Sequence, residues 1–220
     1  MPERLAIKEP RQRRSRETWR QILDAGVALI ETEGYEGFTI AALSEASGAN
    51  PRAIYERAAS KDALFLAVYE HKMAQLTERQ DQLFGAATEP ELTPDETVRR
   101  VVSAVLALFT GNAAFLRAVI AIAPRQPVIF ERGRWHTAQL GELFADALAD
   151  LVPPGYPSAA RLAFRSVYAM AVLRTVQGSD FVTPALDFDA EVEHLTVLVE
   201  RFLQANASAP SICPSTRSPH

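Results

Sequence analysis

Between Thr39 and Arg57 the chain holds its densest set of residues suited to recognition chemistry. Thr39 precedes Ile40-Ala41-Ala42-Leu43, and Gly48 follows Ser47, which predicts a helix of two turns with an N-cap and a glycine stop. Asn50-Pro51-Arg52-Ala53-Ile54-Tyr55 then combines an asparagine N-cap with a proline at the first helical position. Two short helices, over about 40–47 and 51–57, are thus joined by a turn of about three residues, the spacing of a helix-turn-helix. The second helix of such a pair enters a major groove about 12 Å wide and offers its first side chains to base edges. The first holds it at the required angle and presents its own N-terminus to a phosphate. Ala46 and Gly48 are small enough for the two helices to approach closely.

Other chemistries find little support. His71, His136, His194 and His220 show no metal-ligand spacing, and Cys213 is the sole cysteine, so neither a metal nor a disulfide is expected. No glycine-rich phosphate loop and no Gly-x-Ser-x-Gly motif occurs, no nucleophile, base and orienting group assemble, and no cofactor is implied. An enzyme is not expected.

The elements around the motif are helical. Trp19, Ile22, Leu23, Gly26, Val27 and Ile30 form one stripe of an amphipathic helix, with Gly34 where a left-handed cap would fall. Ser60-Lys61-Asp62 opens another helix, whose apolar face (Leu64, Phe65, Val68, Tyr69, Met73, Leu76) runs to about residue 84. Gly85, Pro90 and Pro94 mark a connector over 85–94. Helices fit about 95–110, 112–123, 127–151, 158–178 and 188–205. The predicted fold is all-α with about nine helices, and strand signals are almost absent. A basic arm is expected over 1–15, a three-helix helix-turn-helix domain over 16–60, a helical body over 61–205, which the resemblance described next makes a ligand-binding and dimerisation domain, and a Ser/Pro-rich tail over 206–220.

Residues 22–70 resemble the N-terminal pattern of the tetracycline-repressor (TetR) family of regulators. Ile22-Leu23-Asp24-Ala25, Gly34-Tyr35, Thr39-Ile40, Ala46 with Gly48, Ile54-Tyr55 and Ser60-Lys61-Asp62-Ala63-Leu64 follow that pattern in order and without gaps. Residues 115–133 are also similar to some members. The resemblance implies a homodimeric regulator, more often repressor than activator, that leaves a palindromic double-stranded operator when a small molecule binds its C-terminal domain. It implies phosphate contacts from Thr39 and Lys61, a backbone contact from Tyr55, and Arg52 and Arg57 facing the groove. In the family two last helices from each subunit form a four-helix bundle, here 158–178 and 188–205. The apolar stripe Val192, Leu195, Val199, Phe202 and Leu203 then reads as the dimer face, and a charge at Leu195 or Val199 should break the dimer.

The chain departs from the pattern where it would touch DNA. Glu56, Arg57 and Ala58 follow Tyr55 in place of a histidine or aromatic pair and phenylalanine. Ala53 stands where Thr or Ser is common, and Pro51 where Lys or Arg is common, with Arg52 one place later. Arg52 and Arg57 suit bidentate guanine contacts, worth about 1–3 kcal/mol of discrimination each. Two roles for Glu56 stand at this point, accepting from a cytosine amino group or repelling phosphate. Glu56 and Ala53 together keep a further reading open, a helical small-molecule binder whose helix-turn-helix no longer reads DNA.

Charge placement favours the first. The net charge is −4, yet residues 1–65 hold ten basic and ten acidic side chains, and residues 1–20 seven and three. The acidic excess lies in the remainder, as expected for a DNA-binding end on a body that does not bind DNA. With 48% hydrophobic residues the chain can build a core. The longest apolar runs fall far short of the roughly 20 residues of a membrane span, and no signal-type run opens the chain, so a cytoplasmic protein without membrane contact is expected. In the body, Phe109, Phe115, Phe130, Trp135, Phe164 and Tyr168 are candidates to line an effector cavity, with Arg117, His136, Gln139, Arg174 and Gln177 as polar anchors. Aromatics at helical spacing are also what an ordinary core contains.

Overall fold

The computed structural model describes residues 13–58, 60–181 and 184–207. The first twelve residues of the basic arm and the tail from 208, with Cys213 and His220, lie outside them. Among the described residues there are nine α-helices, two short 3-10 turns and no strand.

The helices are α1 (Arg13–Gly37), α2 (Ile40–Ser47), α3 (Pro51–Tyr55), α4 (Lys61–Ala87), α5 (Pro94–Thr110), α6 (Ala113–Ile122), α7 (Pro127–Ala147), α8 (Ala159–Gln177) and α9 (Phe188–Ala207). The 3-10 turns, Ala123–Arg125 and Ala149–Leu151, follow α6 and α7. The helix expected over 127–151 therefore ends as a helix at Ala147. Helix α1 passes through a break at Gly34 (φ 65°, ψ −166°), which turns the chain toward Phe38.

The residues fall into two compact units. One contains α1, α2, α3, α4 as far as Asp81, and residues 108–138. The other contains 82–107 and the chain from Gln139 onward. The boundary expected between 60 and 61 lies where α4 begins; α4 as far as Asp81, and α6 packed on α1, group with the first unit.

The first unit is built on the stripe legible in the sequence. Ile22 and Ile30 are fully buried, with Trp19, Leu23 and Val27 nearly so, against Phe38, Leu43, Ile54, Leu64, Phe65 and Val68. Burial at about 25 cal/mol per Å² of apolar surface makes this core the main stabiliser of the three-helix end. Gly26 shows how closely α1 and α4 meet: a Cβ there would stand 2.5 Å from Cγ2 of Val68. Gly26→Val is expected to cost about 1–3 kcal/mol by overpacking. A thermal melt indistinguishable from the wild type would contradict that packing.

The second unit packs α8 on α9. Phe144 and Phe164 meet at 5.5 Å between ring centroids, and Phe164 meets Tyr168 at 5.6 Å. Thr93 and Glu96 form a capping box at the start of α5: the Thr93 amide donates to Glu96 Oε2 (2.8 Å) and the Glu96 amide to Thr93 Oγ1 (3.3 Å). The Thr93 hydroxyl also donates to Glu96 Oε2 at 2.6 Å, and this bond, then that from the Thr93 amide, holds the Glu96 carboxyl below its usual range.

The stripe assigned to dimerisation needs correction. Val192, Leu195, Val199 and Leu203 are buried within the single chain, Leu195 at 1% exposure and Val199 at 0%. They face their own unit's core. The exposed large apolar residues of this pair of helices are Met170, Val176, Val197 and Leu198.

Candidate nucleic-acid interface

Local chemistry positions both short helices. Thr39 is extended (φ −121°, ψ 159°), and its Oγ1 accepts from the Ala42 amide at 3.1 Å, capping α2. Gly48 ends α2 in the left-handed conformation (φ 67°, ψ 8°), where a Cβ would be strained. Nothing lies within 4 Å of where its Cβ would stand, and Ala46 is exposed. The close helix approach expected at these two residues is therefore not what selects them; Gly48 serves backbone geometry. Two serines add bonds that the sequence reading missed. Ser44 Oγ donates to the Ala49 carbonyl at 2.6 Å, and Ser47 Oγ donates to the Leu43 carbonyl at 2.6 Å while accepting from the Ala49 amide at 3.3 Å.

Helix α3 is five residues long, with Pro51 in its first turn. Asn50 Oδ1 accepts from the Arg52 amide at 2.9 Å. The backbone bends on through Glu56 and Arg57, whose amides donate to Arg52 and Ile54 carbonyls, so the expected extent to 57 is helical only to Tyr55. Ile54 is fully buried, while Ala53 is half-buried. Asn50, Pro51, Arg52, Tyr55 and Glu56 are all exposed, Tyr55 at 56%, so they form one solvent-facing surface. On it Arg52 Nε donates to Glu56 Oε1 at 3.2 Å. An exposed i,i+4 pair is worth only about 0.3–0.5 kcal/mol, so it yields easily to a stronger partner. The bond uses Nε, whereas a bidentate contact to guanine O6 and N7 uses the terminal nitrogens of an arginine.

Residues 22–68 match the model of the family described as bacterial regulatory proteins, tetR family. The segment that holds the helix-turn-helix is thus similar to that family. Solved structures agree in fold. A TetR-family transcriptional regulator from Mesorhizobium loti is 20% identical over 88% of this chain and 98% of its own, with TM-score 0.67. A transcriptional regulator from Rhodococcus sp. Rha1 is 19% identical over 86% and 98%, with TM-score 0.65. The fatty acid degradation regulator FadR from Bacillus halodurans is 18% identical over 83% and 94%, with TM-score 0.59. At these identities the likeness establishes the fold. No curated protein sequence matches the chain significantly. Among the described residues the chain is all-helical and shares the fold of these regulators.

Arg57 does not share the exposed face of α3. Its Nη2 donates to Ser15 Oγ at 2.5 Å, and its guanidinium carbon lies 5.7 Å from the centroid of the Trp19 ring. The partners come from α1, 42 and 38 positions earlier in the chain, which no local pattern could announce. Arg57 thus ties the end of the reader to the first helix. Lys61 opens α4, with Nζ 4.2 Å from the centroid of the Tyr35 ring. Ser60 Oγ accepts from the Ala63 amide at 3.1 Å and caps that helix.

The aromatic candidates for an effector cavity separate between the units. Phe109 and Phe115 are buried in the first, where Phe115 stacks on Tyr69 at 6.5 Å. Trp135 is exposed and meets His136 edge-on at 4.8 Å. Burial, and then the nearby Arg132 guanidinium, push the His136 pKa down, so the imidazole stays neutral at physiological pH. Phe164 and Tyr168 pack in the second unit. A surface pocket of about 160 Å³ in that unit is lined by none of these six but by Met170, Leu173, Arg174, Leu186, Glu191 and His194 among others. Among the described residues no group of three His, Cys, Asp or Glu is placed to hold a metal, and no single helix is long and apolar enough to cross a membrane.

Proposed function

We propose that this regulator acts as a cytoplasmic homodimeric repressor that reads an operator with α3 and leaves it when a small molecule binds the helical body. The observation that carries the reading is the exposed surface of α3, where Arg52 is presented by a capped, core-anchored helix with Glu56 beside it. On this reading Arg52 reads guanine, Glu56 holds its guanidinium in plane until DNA replaces it, Asn50, Pro51 and Ala53 set the close approach, and Tyr55, Thr39 and Lys61 contact the DNA backbone. Arg57 anchors the reader instead of touching a base. Recognition by a helix this short leaves most of the affinity to phosphate contacts, which position the protein without reading sequence.

The dimer face on this reading is the outward surface of α8 and α9. Met170, Val176, Val197 and Leu198 are exposed on these helices and Phe181 and Leu186 in the segment between them, together more than half of the large apolar side chains exposed among the described residues. Scattered exposed apolar residues are normal, but a cluster marks a surface that expects a partner. A twofold pair places its readers one helical turn apart, about 34–36 Å, so the operator is an inverted repeat. Release by an effector requires that it bind the free and DNA-bound arrangements with different affinity. Selection of duplexes from a random pool tests the reading. An enriched inverted repeat with half-sites about one turn apart is expected; a single asymmetric site, or no enrichment, would overturn it.

A further inference from the structure

A polar cluster at the start of α4 is not explained by capping or packing alone. The Tyr35 hydroxyl donates to Asp62 Oδ1. Gln126, at the corner between the Ala123–Arg125 turn and α7, donates from Nε2 to the same Asp62 oxygen at 3.2 Å and to Tyr35 Oη at 3.3 Å. All three residues belong to the first compact unit. The bond to Asp62, with burial, raises the Tyr35 pKa, so the phenol keeps its proton and remains a donor. The Tyr35 ring is in turn fixed on two sides. Phe65 meets it edge-on at 4.9 Å, and the Lys61 ammonium lies 4.2 Å from its centroid. The aromatic face attracts that cation, and so sets where its flexible stem carries it.

Gln126 is itself held. Its amide donates to the Ala123 carbonyl at 3.1 Å, Pro124 lies within the turn before it, and Pro127 begins the helix after it. Two prolines and a backbone bond fix the corner, so the amide side chain arrives on a rigid mount. We propose that Gln126 is a positioning residue for DNA binding: through Tyr35 and Asp62 it fixes the ring on which Lys61 rests, and thereby aims the Lys61 ammonium at a DNA phosphate. This rests on the reading of Lys61 as a phosphate contact given above. It makes a residue more than 60 positions beyond the helix-turn-helix part of the apparatus that binds DNA.

Each phosphate contact adds about 0.9 to the slope of log affinity against log salt, or about fivefold in affinity at physiological salt. The test measures binding of a duplex selected from a random pool, across a salt series, for wild type, Lys61→Ala, Gln126→Leu and the double variant. Gln126→Leu is expected to lower the slope by up to the same amount as Lys61→Ala, and to have no further effect in the Lys61→Ala background. Tyr35→Phe, which keeps the ring and its packing but removes the hydroxyl, should reproduce Gln126→Leu and guards against a folding defect in that variant. If Lys61→Ala lowers the slope while Gln126→Leu and Tyr35→Phe leave it unchanged, or if their losses simply add to that of Lys61→Ala, the positioning role is wrong and the phosphate contact stands. If Lys61→Ala itself binds as the wild type does, the contact and the role built on it both fall.

Discussion

Ile54→Ala is expected to destabilise the reading end by about 2–5 kcal/mol and to remove tight DNA binding. Ile54 is the one side chain of α3 that is fully buried. A five-residue helix has no stability of its own, since helices shorter than about 12–15 residues are marginal in water. Its position therefore depends on Ile54, on the Asn50 cap and on the burial of Ala58 just beyond it. Truncation leaves a cavity between α2, α3 and the first helix's stripe, and the cheapest response is for α3 to detach. Affinity then falls with the fraction of molecules in which α3 is docked. Urea unfolding followed by circular dichroism, with DNA binding measured on the same sample, checks both effects. Wild-type affinity in a variant of lowered stability would show that α3 is not the reader.

Replacing Val197 and Leu198 together with aspartate is expected to give a monomer of 24.2 kDa where the wild type sediments at twice that mass. The two side chains are 44% and 40% exposed in the single chain, so the charges do not enter its core and helicity should be kept. In a twofold interface each substitution is met by its own copy, and four carboxylates brought into an apolar contact face both desolvation and mutual repulsion. The contrast with Leu195 and Val199 is informative. A charge at either of those would enter a buried site and unfold the second unit, so loss of the dimer there would say nothing about the interface. A Val197→Asp, Leu198→Asp variant that still sediments as a dimer would move the interface off this face of α9.

What the sequence made legible is what local chemistry decides. Thr39, Gly48, Asn50 and Pro51 announce helix ends because caps and left-handed stops act over three or four residues. The stripe from Trp19 to Ile30 announces a buried face because helical periodicity is local too. The stripe of α9 was equally plain, but periodicity says only that a face is buried, not against what. Leu195 and Val199 turn into their own chain, and the exposed residues are the less regular Val197 and Leu198 between them. Arg57 illustrates the same limit: no local pattern announces its partners Ser15 and Trp19, 42 and 38 positions earlier. The Thr93–Glu96 capping box was within reach of a local reading and passed over as part of a connector. Gln126 was out of reach, because its role exists only once its corner is folded against Tyr35 and Asp62.

The central claim is that α3 reads DNA through Arg52. Fluorescence anisotropy with duplex DNA from upstream of the chain's own gene, over a salt series, compares wild type with Arg52→Ala most directly. Arg52 is so exposed that its loss should leave fold and dimer intact. The account predicts tight binding that weakens steeply with salt, and a loss of about 1–3 kcal/mol, or about 5- to 150-fold, in the variant. Its salt slope should stay close to that of the wild type, because a base contact and not a phosphate contact has been removed. Equal affinity for both proteins would contradict the claim and leave α3 without the reading role.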